Sequence, residues 1–229
     1  MRLVTWNCCR GAHARKAPLL DPLAPDIAVL QECARPTDES ETCLWFGDNP
    51  RQGIAVQAAA PYRLHRLPPR RGVPKYVVPV AVSGPLDFTV LAVWSKSNQT
   101  YNYVEAVVKA VRLYRGLIAA SPTVLMGDLN SNTIWDASHK DDWSHSALVR
   151  HLADLGLVSA YHAFHGEAQG RETRPTYYFH WREEHPFHID YCFIPEAWRK
   201  DVCRVEIGGF EEWRQHSDHR PLLVEVRQP

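Results

Sequence analysis

The chain has 229 residues, of which 45% are hydrophobic and 23% are charged, and its formal net charge is zero when histidine is neutral. This length suits one domain over residues 1–229 with a substantial core, and the composition is that of an ordinary globular protein. A strongly basic chain would have indicated nucleic acid as a partner. The balanced charge removes this argument for a nucleic-acid partner but does not exclude such a partner.

The sequence contains no apolar run long enough to span a bilayer. Its first residues read directly as a strand, so we expect no signal peptide. The six cysteines form no C-x-x-C pair and no zinc-finger spacing. We therefore expect a reduced, cytoplasmic protein, and the sequence shows no sign of an obligate protein partner.

The N-terminal half is predicted to be mostly strand. Residues 2–7 and 27–30 predict two strands, with a short helix over 14–23 between them. Later runs of β-branched and aromatic residues are separated by Gly, Asp, Asn and Pro turn residues. They predict further strands over residues 44–46, 53–57, 62–67, 76–82 and 88–94.

The clearest helix covers residues 102–119, where apolar side chains recur on one face. A buried strand follows over 123–126, then a polar loop over 131–143. Ser144 can cap a helix that runs to residue 155 and ends at Gly156. The last strands are predicted over 176–179, 188–194, 202–207 and 222–226. This order favours a mixed α/β sheet protein over a repeated βαβ fold.

Polar side chains fall at the ends of these strands. Taken singly, each is explained as a turn former or a strand terminator. Together they supply carboxylates, carboxamides and an imidazole, and strand ends that converge at one sheet edge are where sites are usually built. The residues are Asn7, Glu32, Asp128, Asn130, Asp190, Asp218 and His219.

Five stretches in order resemble the successive motifs of the endonuclease/exonuclease/phosphatase superfamily, the group that contains DNase I. They are Thr5-Trp6-Asn7, Gln31-Glu32, Gly127-Asp128-Leu129-Asn130, His188-Ile189-Asp190-Tyr191 and Ser217-Asp218-His219-Arg220-Pro221. The resemblance implies an α/β (α+β) fold: a DNase I-like four-layer sandwich of two mixed β-sheets packed face to face with outer helices. It also implies metal-dependent hydrolysis of a phosphoester, most often with magnesium.

The resemblance also implies residue roles. Glu32 would be the main metal ligand with Asn7 nearby, and Asp218 would face the metal. Such hard oxygen donors suit Mg²⁺, with Mn²⁺ as an alternative. Asp128 would orient or deprotonate the attacking water, and Asn130 would reach the phosphate or the same water.

His219 would donate a hydrogen bond to a non-bridging phosphate oxygen and so stabilise charge in the transition state. Either Asp190 or Asp218 would hold this imidazole, and the resemblance favours Asp190. Asp190 therefore joins Asp128, Asn130 and His219 as a predicted catalytic residue.

The chain departs from the family pattern at Trp94, which takes the place where many members carry a His or Tyr that contacts the phosphate. An indole N–H donates one hydrogen bond but cannot carry a proton as imidazole does. We predict that Trp94 contacts substrate. Either Tyr101 or Tyr103 would compensate for the departure, with Tyr101 as the candidate substrate-binding residue; the alternative is that both lie on the helix surface.

Positive charge is concentrated around a Pro-rich loop, with Arg70 and Arg71 at its centre. One reading is a contact to a phosphate backbone, which makes both arginines candidate substrate-binding residues. The other reading is a solvated basic turn.

These observations predict a Mg²⁺-dependent phosphoesterase that hydrolyses a phosphodiester, with nucleic acid as the first substrate class. One alternative is a phosphatase or phosphodiesterase that acts on a small sugar, inositol or lipid phosphate. The other is a non-catalytic binding module with the same fold. Because one fold hosts several substrates, the choice among them rests on analogy.

Overall fold

A computed structural model describes residues 1–98 and 100–227 of the chain. The strands are β1 (Arg2–Asn7), β2 (Ile27–Cys33), β3 (Cys43–Asn49), β4 (Gln52–Ala58), β5 (Arg63–Arg66), β6 (Val77–Ser83), β7 (Phe88–Trp94), β8 (Thr123–Asp128), β9 (Leu157–Ser159), β10 (Tyr177–Tyr178), β11 (Pro186–Phe187), β12 (Asp190–Pro195), β13 (Val202–Ile207) and β14 (Leu222–Val226). The α-helices are α1 (His13–Lys16), α2 (Tyr103–Ala120), α3 (His145–Asp154), α4 (Ala160–His165) and α5 (Phe210–Trp213). Short 3₁₀ turns cover Ala17–Leu23, Thr133–Ser138, Asp141–Trp143, Phe179–Trp181 and Glu196–Asp201.

Two six-stranded sheets form the centre of the protein. The first has the strand order β13-β14-β1-β2-β4-β3, and the second has the order β5-β6-β7-β8-β12-β9. Strands β1 and β2 are parallel, as are β7 and β8, and the other neighbours are antiparallel. Both sheets are therefore mixed, as predicted.

The sheets pack face to face, because alternate side chains of each strand point into a shared core. Val29 of the first sheet and Val90 of the second belong to the cluster between them. Their neighbours in sequence point outward: Leu91 packs under α2 and α3, and Leu30 packs under the segment around Leu20. Strands covered on both faces are apolar on both faces, which explains their continuous apolar runs. The four-layer DNase I-like sandwich predicted from the sequence is confirmed.

The predicted elements differ from the structure mainly where segments are short. The region over 14–23 is one turn of α-helix followed by a 3₁₀ turn, and Pro22 lies inside that turn, where it supplies no N–H donor. The strand predicted over 176–179 is wrong at Phe179, which begins a 3₁₀ turn. The structure also contains β9, β11, α4 and α5, which the sequence patterns did not predict.

Strand direction explains why the polar residues meet. Parallel β1 and β2 end at the same edge, which carries Asn7 and Glu32. In the other sheet β8 ends at Asp128, and antiparallel β12 begins opposite it at Asp190. Antiparallel β14 begins beside the end of β1, which brings the preceding His219 to the same edge.

Within the described residues, no helix combines the length and the apolar character needed to cross a bilayer.

Gly127 permits a close approach of β7 and β8 directly before Asp128. Its φ is +149°, and a Cβ added there would lie 1.8 Å from the carbonyl oxygen of Val93. Any side chain must therefore move backbone rather than a flexible neighbour.

We expect Gly127→Ala to lower the free energy of unfolding by about 3 kcal/mol or more, since backbone strain and overpacking add. Urea denaturation followed by circular dichroism measures this. Gly209→Ala is the matched control, because a Cβ there meets nothing within 4 Å, and it should change stability by less than about 0.5 kcal/mol. Equal stability of the two variants would contradict the close approach.

Candidate active site

The side chain of Asn7 joins the two sheets. Its Nδ2 donates to Glu32 Oε1 at 3.3 Å and to Asp128 Oδ2 at 2.9 Å. Its Oδ1 accepts the backbone N–H of Cys9 at 3.0 Å. A carboxylate from each sheet therefore contacts one buried amide.

Asp128 is fixed from the other side by Asn130. The backbone N–H of Asn130 donates to Asp128 Oδ1 at 2.8 Å, and its Nδ2 donates to Oδ2 at 2.9 Å. Asn130 adopts a left-handed backbone with φ of +47°, and its Nδ2 also reaches the carbonyl of Ser95 at 3.1 Å. Both oxygens of the carboxylate are thus oriented by donors.

Burial raises the pKa of the Asp128 carboxyl to about 7. The charge of Asp190 adds to this rise in pKa, while His219 and the hydrogen bonds from Asn7 and Asn130 oppose it. A carboxylate with a pKa near neutrality can accept a proton at physiological pH.

His219 is paired with Asp190. Its Nδ1 donates to Asp190 Oδ2 at 2.8 Å, and both side chains are buried. Burial alone would lower the pKa of the imidazole, but the charge of Asp190 and its hydrogen bond raise the pKa to about 9, with Asp128 and Asp218 contributing. His219 is therefore a cation at neutral pH. Of the two carboxylates considered for this role, the structure places Asp190 on the ring.

The loop that carries His219 is held by backbone contacts. Ser217 Oγ donates to the carbonyl of Asn7 at 2.7 Å and accepts the N–H of His219 at 2.9 Å. Trp6 Nε1 donates to the carbonyl of His219 at 3.2 Å. The buried Arg220 donates to the carbonyls of Ser217 and His219 at 2.8 and 3.0 Å. These hydrogen bonds therefore fix the backbone that carries the imidazole.

Glu32 and Asp218 lie at the more exposed side of the site. Glu32 has a φ of +58°, and Gln52 Nε2 donates to its Oε2 at 2.8 Å. Asp218 lies beside Cys9; burial and the neighbouring charge of Asp218 raise the pKa of this thiol to about 12. We call Asn7, Glu32, Asp128, Asn130, Asp190, Asp218 and His219 the polar cluster.

The polar cluster carries an excess of negative charge that fits a divalent cation. Burial, then the charges of Asp218, Asp128, Cys9 and Glu32, raise the pKa of Tyr177 to about 12. Within the described residues, Arg10 is the one Lys or Arg that forms an ion pair with these carboxylates, at 3.9 Å from Glu32, and its side chain is largely exposed. Asp190 Oδ1 is buried without a hydrogen-bond partner in the described part of the chain. Oxygen donors in such a setting suit Mg²⁺ or Mn²⁺.

Asp128, Asp190 and His219 offer ligand atoms that lie within 4.8 Å of one another. Because His219 Nδ1 already donates to Asp190, a metal bound by that nitrogen would have to break the pair. The carboxylates of Glu32 and Asp218 are more accessible. The accessible carboxylates of the polar cluster therefore lie on the Glu32 side.

The four candidate substrate-binding residues lie outside the polar cluster. Trp94 is buried between the sheets, and its ring packs 4.8 Å from that of Tyr76. Tyr101 hydrogen-bonds Lys109 of α2. Their contact with substrate stays a prediction, and the burial of Trp94 weighs against it.

Arg70 lies beside Gly116, near the far end of α2. The start of α2 touches the site, since Ser95 Oγ donates to the carbonyl of Tyr103. Helix rise separates Tyr103 and Gly116 by roughly 20 Å. The structure thus does not bring Arg70 to the polar cluster, and Arg71 is exposed in the same loop.

Sequence reasoning missed several residues that shape the site. Gln52 holds Glu32, and the ring of Tyr177 lies 4.5 Å from that of His219. Thr176 Oγ1 accepts the N–H groups of Ile189 and Asp190, both at 3.0 Å. No pattern in the sequence marks these three, because each acts through a contact between distant segments.

Solved structures share this architecture. A 3′-5′ exonuclease (NExo) from Neisseria meningitidis matches with a TM-score of 0.73 and 21% identity, over 100% of both chains. A structure of 3′ phosphatase NExo from Neisseria bound to product DNA hairpin gives the same TM-score of 0.73 and identity of 21%, again over 100% of both chains. An AP endonuclease from Archaeoglobus fulgidus matches with a TM-score of 0.72 and 15% identity, over 100% of both chains. At these identities the likeness establishes the DNase I-like fold.

No protein-family model matches the sequence, and no curated protein sequence does so either.

The buried charge of Asp128 should cost stability. Its pKa in the folded state is about 7, above the ordinary value of 3.8. The folded state therefore binds the extra proton between these values, and the associated stability is full below pH 3.8 and is lost as pH rises through 7.

We expect the free energy of unfolding of Asp128→Asn, relative to that of the parent protein in EDTA, to rise by about 1 kcal/mol or more between pH 4 and pH 8, because only the parent protein loses stability as the Asp128 proton is released. Urea melts at both pH values measure this difference, with Asp154→Asn on the exposed surface as the control. A difference that does not change with pH would show that the pKa of Asp128 is not raised in the folded protein.

Proposed function

We propose that this chain, which has the DNase I-like fold, is a metal-dependent phosphoesterase that hydrolyses a phosphodiester in nucleic acid. The observation that carries the proposal is that one buried site contains both a carboxylate that can accept a proton and a histidine that is held as a cation. Asp128 has a pKa near 7 and is oriented by two amides, while His219 is held as a cation by Asp190. Such a pair supplies a proton acceptor and a positive donor for one reaction.

Asp128 is the proton acceptor in this proposal. The hydrogen bonds from Asn7 and Asn130 fix the plane of its carboxylate, so a water next to it is oriented for in-line attack on phosphorus. Both N–H groups of the Asn130 side chain are engaged by Asp128 Oδ2 and the carbonyl of Ser95, so a contact of Asn130 with the phosphate or with that water stays a prediction.

His219 stabilises the charge that develops on the phosphate. Its Nδ1 is engaged by Asp190, which leaves Nε2–H as the donor to a non-bridging oxygen. Asp190 fixes the ring orientation and keeps the ring protonated. Preorganised donors of this kind contribute roughly 10²–10³-fold in rate.

We propose that Glu32, Asn7 and Asp218 hold the metal. Bound there, Mg²⁺ would offset charge on the phosphate and on the leaving oxygen. The oxygen donors and the excess of negative charge support Mg²⁺, with Mn²⁺ as the alternative. The unpaired cysteines support the expected reducing, cytoplasmic location.

Nucleic acid is the proposed substrate class because the structural neighbours named above are an exonuclease, a 3′ phosphatase bound to a DNA product and an AP endonuclease. A small phosphoester is the alternative outcome of the assay below.

We expect the protein to nick supercoiled plasmid with Mg²⁺ and to stop in EDTA. His219→Ala and Asp128→Asn should each lower turnover by at least ~100-fold, because each removes one half of the buried pair. Gel analysis of the plasmid measures the rates, and circular dichroism confirms folding.

His185→Ala, an exposed histidine outside the polar cluster, should retain full activity. Near-normal turnover in either site variant would contradict the assigned roles. Release of phosphate from sugar or inositol phosphates without plasmid cleavage would shift the substrate class to the alternative.

The pH profile of kcat/KM should be bell-shaped. The alkaline limb should lie near pH 9, where His219 loses its proton. The acid limb, set by Asp128, should lie at or below pH 7, because a nearby cation favours the charged carboxylate. In Asp190→Asn the alkaline limb should move towards pH 6.5, the ordinary pKa of histidine. An alkaline limb that stays near pH 9 in this variant would show that it does not report the proton of His219.

A further inference from the structure

A cavity of about 520 Å³ opens beside the polar cluster, within the usual size of ligand pockets. It lies between the start of α2, the segment after Asn130 and the β10–β11 hairpin. Its walls are mainly apolar and aromatic side chains: Tyr103, Trp135, Tyr177, Phe179, Phe187 and Ile189. The reaction proposed for the polar cluster does not require an aromatic cavity at this place.

The rings form a row that starts at the proposed catalytic imidazole. Tyr177 lies 4.5 Å from His219, Phe187 lies 6.3 Å from Tyr177, and Trp135 lies 5.3 Å from Phe187. Phe179 branches from Tyr177 at 6.4 Å. We call Tyr177, Phe187, Trp135 and Phe179 the aromatic track. Its continuity with His219 ties its occupant to the reacting phosphate.

The hairpin that carries the track exposes aromatic surface at a conformational cost. Phe179 is 45% exposed and Trp181 is 49% exposed. His180 and Trp181 both have positive φ, at +53° and +58°. Non-glycine residues in this region are strained, and such strain concentrates at sites that bind ligands.

The charge around the track differs from that of the polar cluster. No Asp or Glu is among the described residues that line the cavity, whereas the polar cluster is acidic. A polyanionic chain whose phosphate reaches the polar cluster can therefore place its neighbouring group in the cavity without repulsion. Asn130 and Ser131, which also line it, add amide and hydroxyl groups.

We propose that the aromatic track binds an unpaired nucleobase next to the scissile phosphate, so that the protein prefers single-stranded or frayed ends of nucleic acid to continuous duplex. This rests on the proposed function and names its substrate class. Every base presents a flat π face that stacks on such rings. A base inside a duplex is already stacked and cannot enter the cavity, and an abasic sugar has no face to stack.

The test measures binding in EDTA, so that no strand is cut. Fluorescence anisotropy compares a labelled oligothymidine of about eight residues with the same oligomer carrying abasic spacers and with a blunt DNA hairpin. We expect the oligothymidine to bind at least about fivefold more tightly than either, as loss of one stacked base is worth about fivefold to a hundredfold.

Phe179→Ala and Trp135→Ala should each weaken oligothymidine binding within that range and leave binding of the abasic oligomer unchanged. Phe179 is exposed, so its replacement leaves the core intact. Phe164→Ala is the matched control, because Phe164 is 43% exposed on α4 and does not line the cavity.

Equal binding of the thymidine and abasic oligomers, or tighter binding of the hairpin, would overturn the proposal, as would two track variants that bind normally. Cleavage with Mg²⁺ is scored separately. If binding depends on stacking but no strand is cleaved, the proposed catalysis is refuted and the proposal for the aromatic track stands. If strands are cleaved but the Phe179 and Trp135 variants bind and cleave normally, the proposal for the aromatic track is refuted and the proposed catalysis stands.

Discussion

The carboxylate of Asp128 is buried where two sheets meet, and its charge is the constraint that the surrounding residues satisfy. A carboxylate without partners in such a place costs several kcal/mol, so it must be protonated, paired or hydrogen-bonded. Here Asn7 and Asn130 donate to it, and the cationic ring of His219 lies close enough to oppose the rise of its pKa. These contacts join segments that are distant in sequence, so the site is assembled only when both sheets have formed.

The same arrangement separates the two sides of the site. On the buried side, Asp190 and His219 form a close pair whose proton is fixed by hydrogen bonding. On the exposed side, the carboxylates of Glu32 and Asp218 lie nearer to solvent, and Asn7 and Gln52 orient Glu32 by hydrogen bonds. In the proposed function, this separation would keep the metal and the imidazole from competing for the same oxygens.

Sequence reasoning located residues correctly where the position of a residue follows from the end of a strand. Asn7, Glu32 and Asp128 end strands that reach one edge, and the period of apolar residues identifies those strands. It could not locate Arg70, because a loop position carries no information about which face of the protein the residue occupies. The helix α2 was predicted because its apolar stripe is long, whereas α4 and β9 are too short for any period to emerge.

This difference has a physical basis. The polar cluster is built from strand ends, whose geometry the backbone hydrogen bonds dictate. The aromatic track is built from a hairpin, a 3₁₀ turn and the loop after Asn130, where single side chains rather than repeating patterns decide the shape. Loops carry most binding differences between proteins of one fold. The polar cluster is therefore predictable from the strands, whereas the contacts of Tyr177 with Phe179 and Phe187 are found only in the folded chain.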